Sequence, residues 1–252
     1  MRFASLGSGS EGNGLVVEAG ETRVLMDCGF GLADSVARLV KLGLQVSDLA
    51  GIVVTHEHSD HIGGVGRLAR KHKLPVWLTA GTLAMAQDLD GVAVQVIDSH
   101  AAFAVDDLEI LPFPVPHDAR EPVQYVFGDG NRRLGVLTDA GCSTPHIEAM
   151  LNGVDGLVLE CNHDAAMLEN GPYPVSLKRR VGGRFGHLEN GQAADLLGRV
   201  KHDKLQCVMA AHVSKKNNTP ALAQRALAQV LNCADGDVRV ACQTTGFDWI
   251  KL

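Results

Sequence analysis

Short runs of β-branched and aliphatic residues, each bounded by Gly, Asp or another turn former, recur along the chain and read as strands. They fall at Leu15–Glu18, Arg23–Met26, Ile52–Thr55, Val76–Thr79, Glu109–Phe113, Gln124–Phe127, Arg133–Thr138, Leu157–Glu160 and Gln206–Ala210. Apolar positions recurring every three or four residues predict helices over Leu32–Leu42, Gly64–His72, Thr82–Leu89, Gln192–Val200 and Pro220–Leu231. Thr219 and Pro220 open the last of these as N-cap and first helical residue. Strands crowd the first two thirds and mostly adjoin one another, with helices interposed. That order predicts an α+β chain, an αββα sandwich of two packed mixed sheets flanked by helices, better than a strictly alternating parallel sheet. No linker of biased composition and no repeat interrupts residues 1–252, so one domain is expected. The histidine-bearing stretches sit at strand ends, where loops can converge on one cleft.

Composition narrows the function classes. At 46% hydrophobic and 21% charged residues the chain has material for a large core, and disorder is not indicated. No stretch approaches the roughly 18 apolar residues of a membrane span, and Met1–Ser5 leads into a Gly-rich turn instead of a signal-peptide core, so a cytoplasmic protein without membrane association is expected. Its six cysteines, Cys28, Cys142, Cys161, Cys207, Cys233 and Cys242, form no short pairs and are expected to be reduced thiols. A net charge of −6 gives no global attraction to a polyanion, so any basic binding surface has to be local.

The densest chemistry lies in Thr55-His56-Glu57-His58-Ser59-Asp60-His61, directly after the apolar run Gly51–Val54. Imidazole nitrogen and carboxylate oxygen suit zinc and similar divalent ions, and alternate residues of an extended segment can turn two histidines towards one ion. Asp60 and His61 can then face a second. An exposed polar turn is the alternative, but four crowded ionisable groups without an ion would repel or need several partners.

This H-x-H-x-D-H pattern resembles the signature of the metallo-β-lactamase (MBL) fold superfamily. The resemblance implies one metal held by His56, His58 and His117, a second held by Asp60, His61 and His212, and Asp139 bridging both. Two divalent ions are therefore expected, zinc first and manganese next. Taken singly, His117 and His212 also read as structural histidines, and Asp139 in Thr-Asp-Ala-Gly as a turn residue. Asp27 resembles the strand-end aspartate that orients a ligating histidine in this superfamily, although a simple turn role fits it nearly as well.

Gly186-His187-Leu188-Glu189-Asn190, followed by a helix, a strand and His212-Val213-Ser214, resembles the phosphodiesterase branch that includes RNase Z. There the first histidine gives a proton to the leaving oxygen, which makes His187 the candidate general acid beside Asp60; a non-catalytic residue at a helix start is the alternative. A likeness across nearly the whole chain points to the YycJ/WalJ (VicX)-type MBL hydrolases. It rests on Leu6–Asn13, His117-Asp118-Ala119 with Pro122, Glu160–Asp164, Tyr173-Pro174 with Leu177–Arg180, and His212-Val213-Ser214 with Asn217–Pro220. It implies a nuclease acting on single- or double-stranded DNA as a 5′-to-3′ exonuclease, with RNA as the alternative polymer. The chain departs from that pattern at Glu189, where Ser is usual, and at Gln124, where Gly is common.

Lys178, Arg179, Arg180 and Arg184 precede His187, and Lys215 and Lys216 follow His212. Six cations flanking the site would suit phosphate steering, against the alternative of a solvated basic face. His163, with Asn162, is expected to line the same cleft. The Gly7–Gly14 loop lacks the ending of a phosphate-cradling loop and reads as a tight strand-to-strand turn. Two other function classes stay open at this point: a small-substrate hydrolase acting on a cyclic phosphodiester or a glyoxalase II-like thioester, and a non-catalytic metal-binding regulatory module. β-Lactam hydrolysis is disfavoured, because Asp139 stands where the commonest such enzymes use a cysteine.

Overall fold

The computed structural model describes residues 1–252 and contains two seven-stranded mixed sheets. The first is built from β1 (Arg2–Gly7), β2 (Gly14–Ala19), β3 (Thr22–Met26), β4 (Gly51–Val53), β5 (Val76–Thr79) and β6 (Val94–Ile97) in spatial order. The second runs in the same way through β7 (Phe103–Val105), β8 (Leu108–Pro114), β9 (Val123–Gly128), β10 (Arg133–Leu137), β11 (Gly156–Glu160), β12 (Cys207–Ala211) and β13 (Arg239–Val240). The chain then returns to the first sheet, where β14 (Phe247–Lys251) pairs antiparallel with β1.

Consecutive strand residues point to opposite faces, and here both faces are covered. In β3, Val24 and Met26 turn inward to meet Tyr125, Phe127, Leu134 and Val136 of the second sheet. Leu25, between them, turns outward with Ile52 onto Leu39 of α1 (Leu32–Lys41) and Leu68 of α3 (Val65–His72). On the far side Leu137, Leu157 and Leu159 pack against α5 (Pro145–Leu151), α8 (Asn190–Val200) and α9 (Pro220–Leu231). This double coverage explains why the strands read as continuous apolar runs. It also completes four layers, helix, sheet, sheet and helix.

Two struts join the sheets beneath the histidine loop. The fully buried Tyr125 hydroxyl donates to the Val54 carbonyl at 2.7 Å, and Val123 N donates to the Thr55 carbonyl at 3.0 Å. A buried phenol must find a partner, and this one fixes where the first sheet releases its catalytic loop.

The predicted elements match within a residue or two, except that the helix expected over Thr82–Leu89 is α4 (Ala80–Met85). Thr79, the last residue of β5, doubles as its N-cap by accepting from Thr82 N, and Ala86 is already extended. Elements without a prediction are edge strands (β6, β7, β13 and β14), β1, α5 and the short helices α2 (Ser59–Ile62), α6 (Ala165–Asn170) and α7 (Val175–Val181). Edge strands expose one face, so their apolar run is broken: Gln95 and Val96 of β6 are both exposed. No helix is long and apolar enough to cross a membrane.

Candidate metal centre

The seven candidate ligands come from four separate places along the chain and meet at one end of the two sheets. His56 and His58 lie on the extended segment after β4, and His58 is the N-cap of α2, whose first turn carries Asp60 and His61. His117 follows β8, Asp139 follows β10 and His212 follows β12. Asp139 and His212 adopt left-handed backbone with φ of 51° and 53°, and Asp27 after β3 does the same with φ of 60°. Such conformations cost non-glycine residues roughly 1–3 kcal/mol and persist where surrounding structure enforces them.

His56 Nε2 lies 3.0 Å and His117 Nε2 lies 3.2 Å from His58 Nδ1. One ring proton can bridge at most one of these contacts at a time. A tetrahedral ion with zinc–nitrogen bonds near 2.0–2.1 Å would set such nitrogens about 3.4 Å apart, close to the spacing seen. Asp60, His61 and His212 form a second group, and Asp139 belongs both to a group with His56 and His61 and to one with Glu160, His187 and His212; in each the ligand atoms lie within 4.8 Å of one another. At the centre Asp139 Oδ2 and His212 Nε2 are buried without a hydrogen-bond partner. Buried polar atoms left without hydrogen-bond partners, amid converging imidazoles, are what a pair of divalent cations would satisfy, so the residues present fit such a pair.

The charges support the same arrangement. Burial pushes His56 and His117 below the ordinary imidazole value. Burial also opposes charge on His61 and His212, but Asp139 and the other carboxylates around them outweigh it, raising His61 well up and His212 to about 10. In the metal-free chain, then, protons on these two rings balance Asp60, Asp139 and Glu160. Metal binding has to displace those protons.

Around the ligands stands a layer of positioning contacts. Asp27 accepts from Thr55 N at 2.8 Å and from Thr55 Oγ1 at 2.9 Å, and its Oδ2 lies 2.8 Å from His61 Nδ1. That leaves His61 Nε2 facing inward. Asn13 Nδ2 sits 3.1 Å from the same Nε2, and Asn13 N donates to the Asp60 carbonyl at 2.8 Å. Gly29 packs so tightly on this turn that a Cβ there would lie 1.9 Å from the Asp60 carbonyl oxygen. The Gly7–Gly14 loop is a strand-to-strand turn, as expected, and it delivers Asn13 to the site.

Glu160 holds the opposite wall. It is fully buried at the end of β11, its Oε1 lies 2.8 Å from His187 Nδ1 and 3.1 Å from His212 Nδ1, and its Oε2 accepts from Ala140 N and Leu188 N. Burial works against its charge, but His187 and His212 prevail and hold it down at about 2. Burial opposes charge on His187 in turn, but Glu160, and behind it Asp139, raise that ring above its ordinary value. Sequence reasoning assigned Glu160 no role, although a carboxylate closing the apolar run Gly156–Leu159 has to be paired once buried. Asp118 was missed as well: it receives Arg180 Nε, and its Oδ1 lies 3.5 Å from His117 Nε2.

A cavity of about 300 Å³ opens above the centre, lined by His58, Asp60, Asp139, His187, His212 and Arg180 among others. The six expected cations divide. Helix periodicity turns Leu177, Arg180 and Val181 of α7 to the cavity and leaves Lys178 and Arg179 off it. Lys178 donates to the Glu169 carbonyl, Lys215 pairs with Glu11, Lys216 lies over the Tyr173 ring, and Arg179 and Arg184 are exposed. His163 does not line the cavity. It is 3% exposed, with Asn162 beside it also buried, because the segment after β11 runs beneath α7, where Gly182 lies against His163 Nε2.

Comparison with known proteins bears on this geometry. Residues 22–209 match the beta-lactamase superfamily domain. The chain is 38% identical to exodeoxyribonuclease YycJ of Bacillus anthracis over 92% of its length and 89% of that protein's. It is 31% identical to exodeoxyribonuclease WalJ of Streptococcus pneumoniae, over 95% and 91%. Among solved structures it resembles the metallo-beta-lactamase fold protein YhfI of Bacillus subtilis, with a TM-score of 0.78 at 16% identity over 99% of this chain and 98% of that one. A fold of paired mixed sheets, a clustered set of imidazoles and carboxylates at one end, and these likenesses agree: the chain belongs to the beta-lactamase superfamily, alongside the YycJ and WalJ exodeoxyribonucleases.

Proposed function

We propose that this protein is a dinuclear metal-dependent phosphodiesterase that degrades DNA as a 5′-to-3′ exonuclease. The observation that carries the reading is His187, an imidazole on the cavity wall, locked to buried Glu160, which favours its charged form, and next to Asp139. Bound at His56, His58, His117, Asp139, Asp60, His61 and His212, two divalent cations, zinc first and manganese next, would supply Lewis acidity and a water of lowered pKa. The chain's own residues do the rest. Arg180 offers its guanidinium to non-bridging phosphate oxygens, Asp60 orients the attacking water as a hydrogen-bond acceptor, and His187 delivers its proton to the leaving oxygen. Glu160 keeps that ring charged and aimed. The exodeoxyribonuclease relatives support DNA as the polymer.

Metal analysis of the purified protein should return about two ions per chain. End-labelled DNA, RNA and a small phosphodiester, offered side by side, then identify the substrate. His58→Ala and Asp139→Ala should each abolish DNA cleavage while the protein stays folded. Full activity in either variant, with its metal content verified, would overturn the assignment.

A further inference from the structure

Between α7 and His187 the chain makes a turn that is fastened to the site from three sides. Asp118 N donates to the Phe185 carbonyl at 3.0 Å, Gly186 N to Gly183 O at 2.9 Å and His187 N to Val181 O at 2.8 Å. His117 Nδ1 lies 3.0 Å from the Gly186 carbonyl. Gly141, just after Asp139, approaches so closely that a Cβ there would sit 2.3 Å from the Arg184 carbonyl. The backbone is fixed, yet it holds the Phe185 side chain out in water at 62% exposure. Val40, Met85, Val96 and Val175 are the other large exposed hydrophobics, so Phe185 is the one aromatic ring among them.

An aromatic ring left in solvent forgoes the stabilisation that burial would give it, so its location calls for an occupant. Gly186 and His187, the next two residues, both line the cavity, which puts the Phe185 backbone within about 8 Å of it. Arg184, the preceding residue, is exposed, and Arg180 is held at the cavity by Asp118. An exposed apolar ring on a cation-bearing turn, its backbone about one nucleotide's length from a phosphodiester site, has the chemistry of a nucleobase platform.

We infer that Phe185 stacks on the base next to the scissile phosphate, which leaves its pairing as the strand end enters the site. The inference rests on the phosphodiesterase reading. Every base has a π face, so the platform tolerates sequence.

The test uses a 5′-phosphorylated oligonucleotide with 2-aminopurine as its terminal base and a phosphorothioate at the terminal linkage, against the same oligonucleotide made abasic at that position. Binding to the metal-loaded protein should quench the 2-aminopurine. Phe185→Ala should lose the quenching and bind about 5- to 150-fold more weakly, while Phe185→Trp keeps both. The abasic oligonucleotide should bind the native protein as weakly as the base-bearing one binds Phe185→Ala. Undiminished quenching in Phe185→Ala, or an equal loss on the abasic strand, overturns the inference. Cleavage of end-labelled DNA by the same preparation keeps the two ideas apart: cleavage without Phe185-dependent quenching sinks the platform alone, and quenching without cleavage under zinc or manganese sinks the nuclease alone.

Discussion

Each sheet is laid out by the same rule, three antiparallel pairings followed by three parallel ones, so that β3 corresponds to β10, β4 to β11 and β5 to β12. β3 and β10 both lead into a left-handed aspartate, Asp27 in one sheet and Asp139 in the other. Their fates differ. Asp27 stands behind the site and grips Thr55 and His61, whereas Asp139 faces into the cavity. The segments after β4 and β11 differ too: one throws His56, His58, Asp60 and His61 forward, and the other buries Glu160, Asn162 and His163 beneath α7. The first sheet therefore contributes three imidazoles with Asp60, and the second adds His117, His187 and His212 with the inward carboxylates Asp139 and Glu160. Imidazoles and carboxylates from the two halves are complementary in charge, and the site exists only where they meet.

That complementarity sets how the metal-free protein responds to pH. His212 of the second half is held up to about 10 by Asp139, Asp60 and Glu160, despite burial. A raised imidazole contributes stability that is complete below its unfolded value of about 6.5 and is lost as pH climbs through the folded one. Between pH 6 and 9 the metal-free protein should lose on the order of 3 kcal/mol, seen as a falling melting temperature. With cations replacing the protons, the loaded protein should lose much less. Parallel curves for the two forms would mean that protons on this cluster do not hold the halves together.

The next largest effect separates the two aspartates. Asp27→Asn keeps the shape but weakens the partner of His61 Nδ1, and loss of such an orienting group typically costs 10–100-fold in metal affinity. Chelator competition should show that loss with both ions still able to bind at high metal. Asp139→Ala should instead fail to retain a pair of ions at any practical concentration. If Asp27→Asn binds metal as tightly as the native chain, the two strand ends share a backbone conformation and nothing more.

Legibility followed burial. β5 and α9 were read to the residue, because an apolar run bounded by turn formers, or Thr219-Pro220 ahead of a period of three to four, leaves one reading. Thr144-Pro145 opens α5 with the same signal, and Thr144 does accept from Ile147 N, but seven residues give too little periodicity to register. Seven candidate ligands were legible from the dense motif and the resemblance that follows from it. Glu160, Asn13 and Asp118 were not, since each acts on a residue distant in sequence and bears no local pattern. His163 misled for the opposite reason: its neighbours look polar, and only the pairing of its segment with Leu188, Glu189 and Asn190 shows that it is interior.

The smallest effect concerns helix starts, where the halves also part. In the second, α5, α6 and α9 are capped by Thr144, Asp164 and Thr219, whose side chains accept from the first turn. In the first, α1, α2 and α3 begin at Gly31, His58 and Gly64 with no side-chain cap; the exceptions are α4, capped by Thr79, and α7 of the second half, opened by Pro174 without one. His58 is committed to the site, and a Cβ on Gly64 would lie 1.9 Å from the Phe30 carbonyl, so neither can change. Gly31 is different: its φ of −62° and ψ of 154° suit any N-cap residue, and a Cβ there meets nothing within 4 Å. Gly31→Asp should therefore add a cap and restrict the unfolded chain, gaining about 0.5–1 kcal/mol. Thr219→Ala should lose about 1 kcal/mol by the same physics. A shift of the urea midpoint at constant m-value reads both. If Gly31→Asp gains nothing while Thr219→Ala loses as expected, the bare start of α1 reflects a demand of its surroundings, as at Gly64, and not merely an unused position.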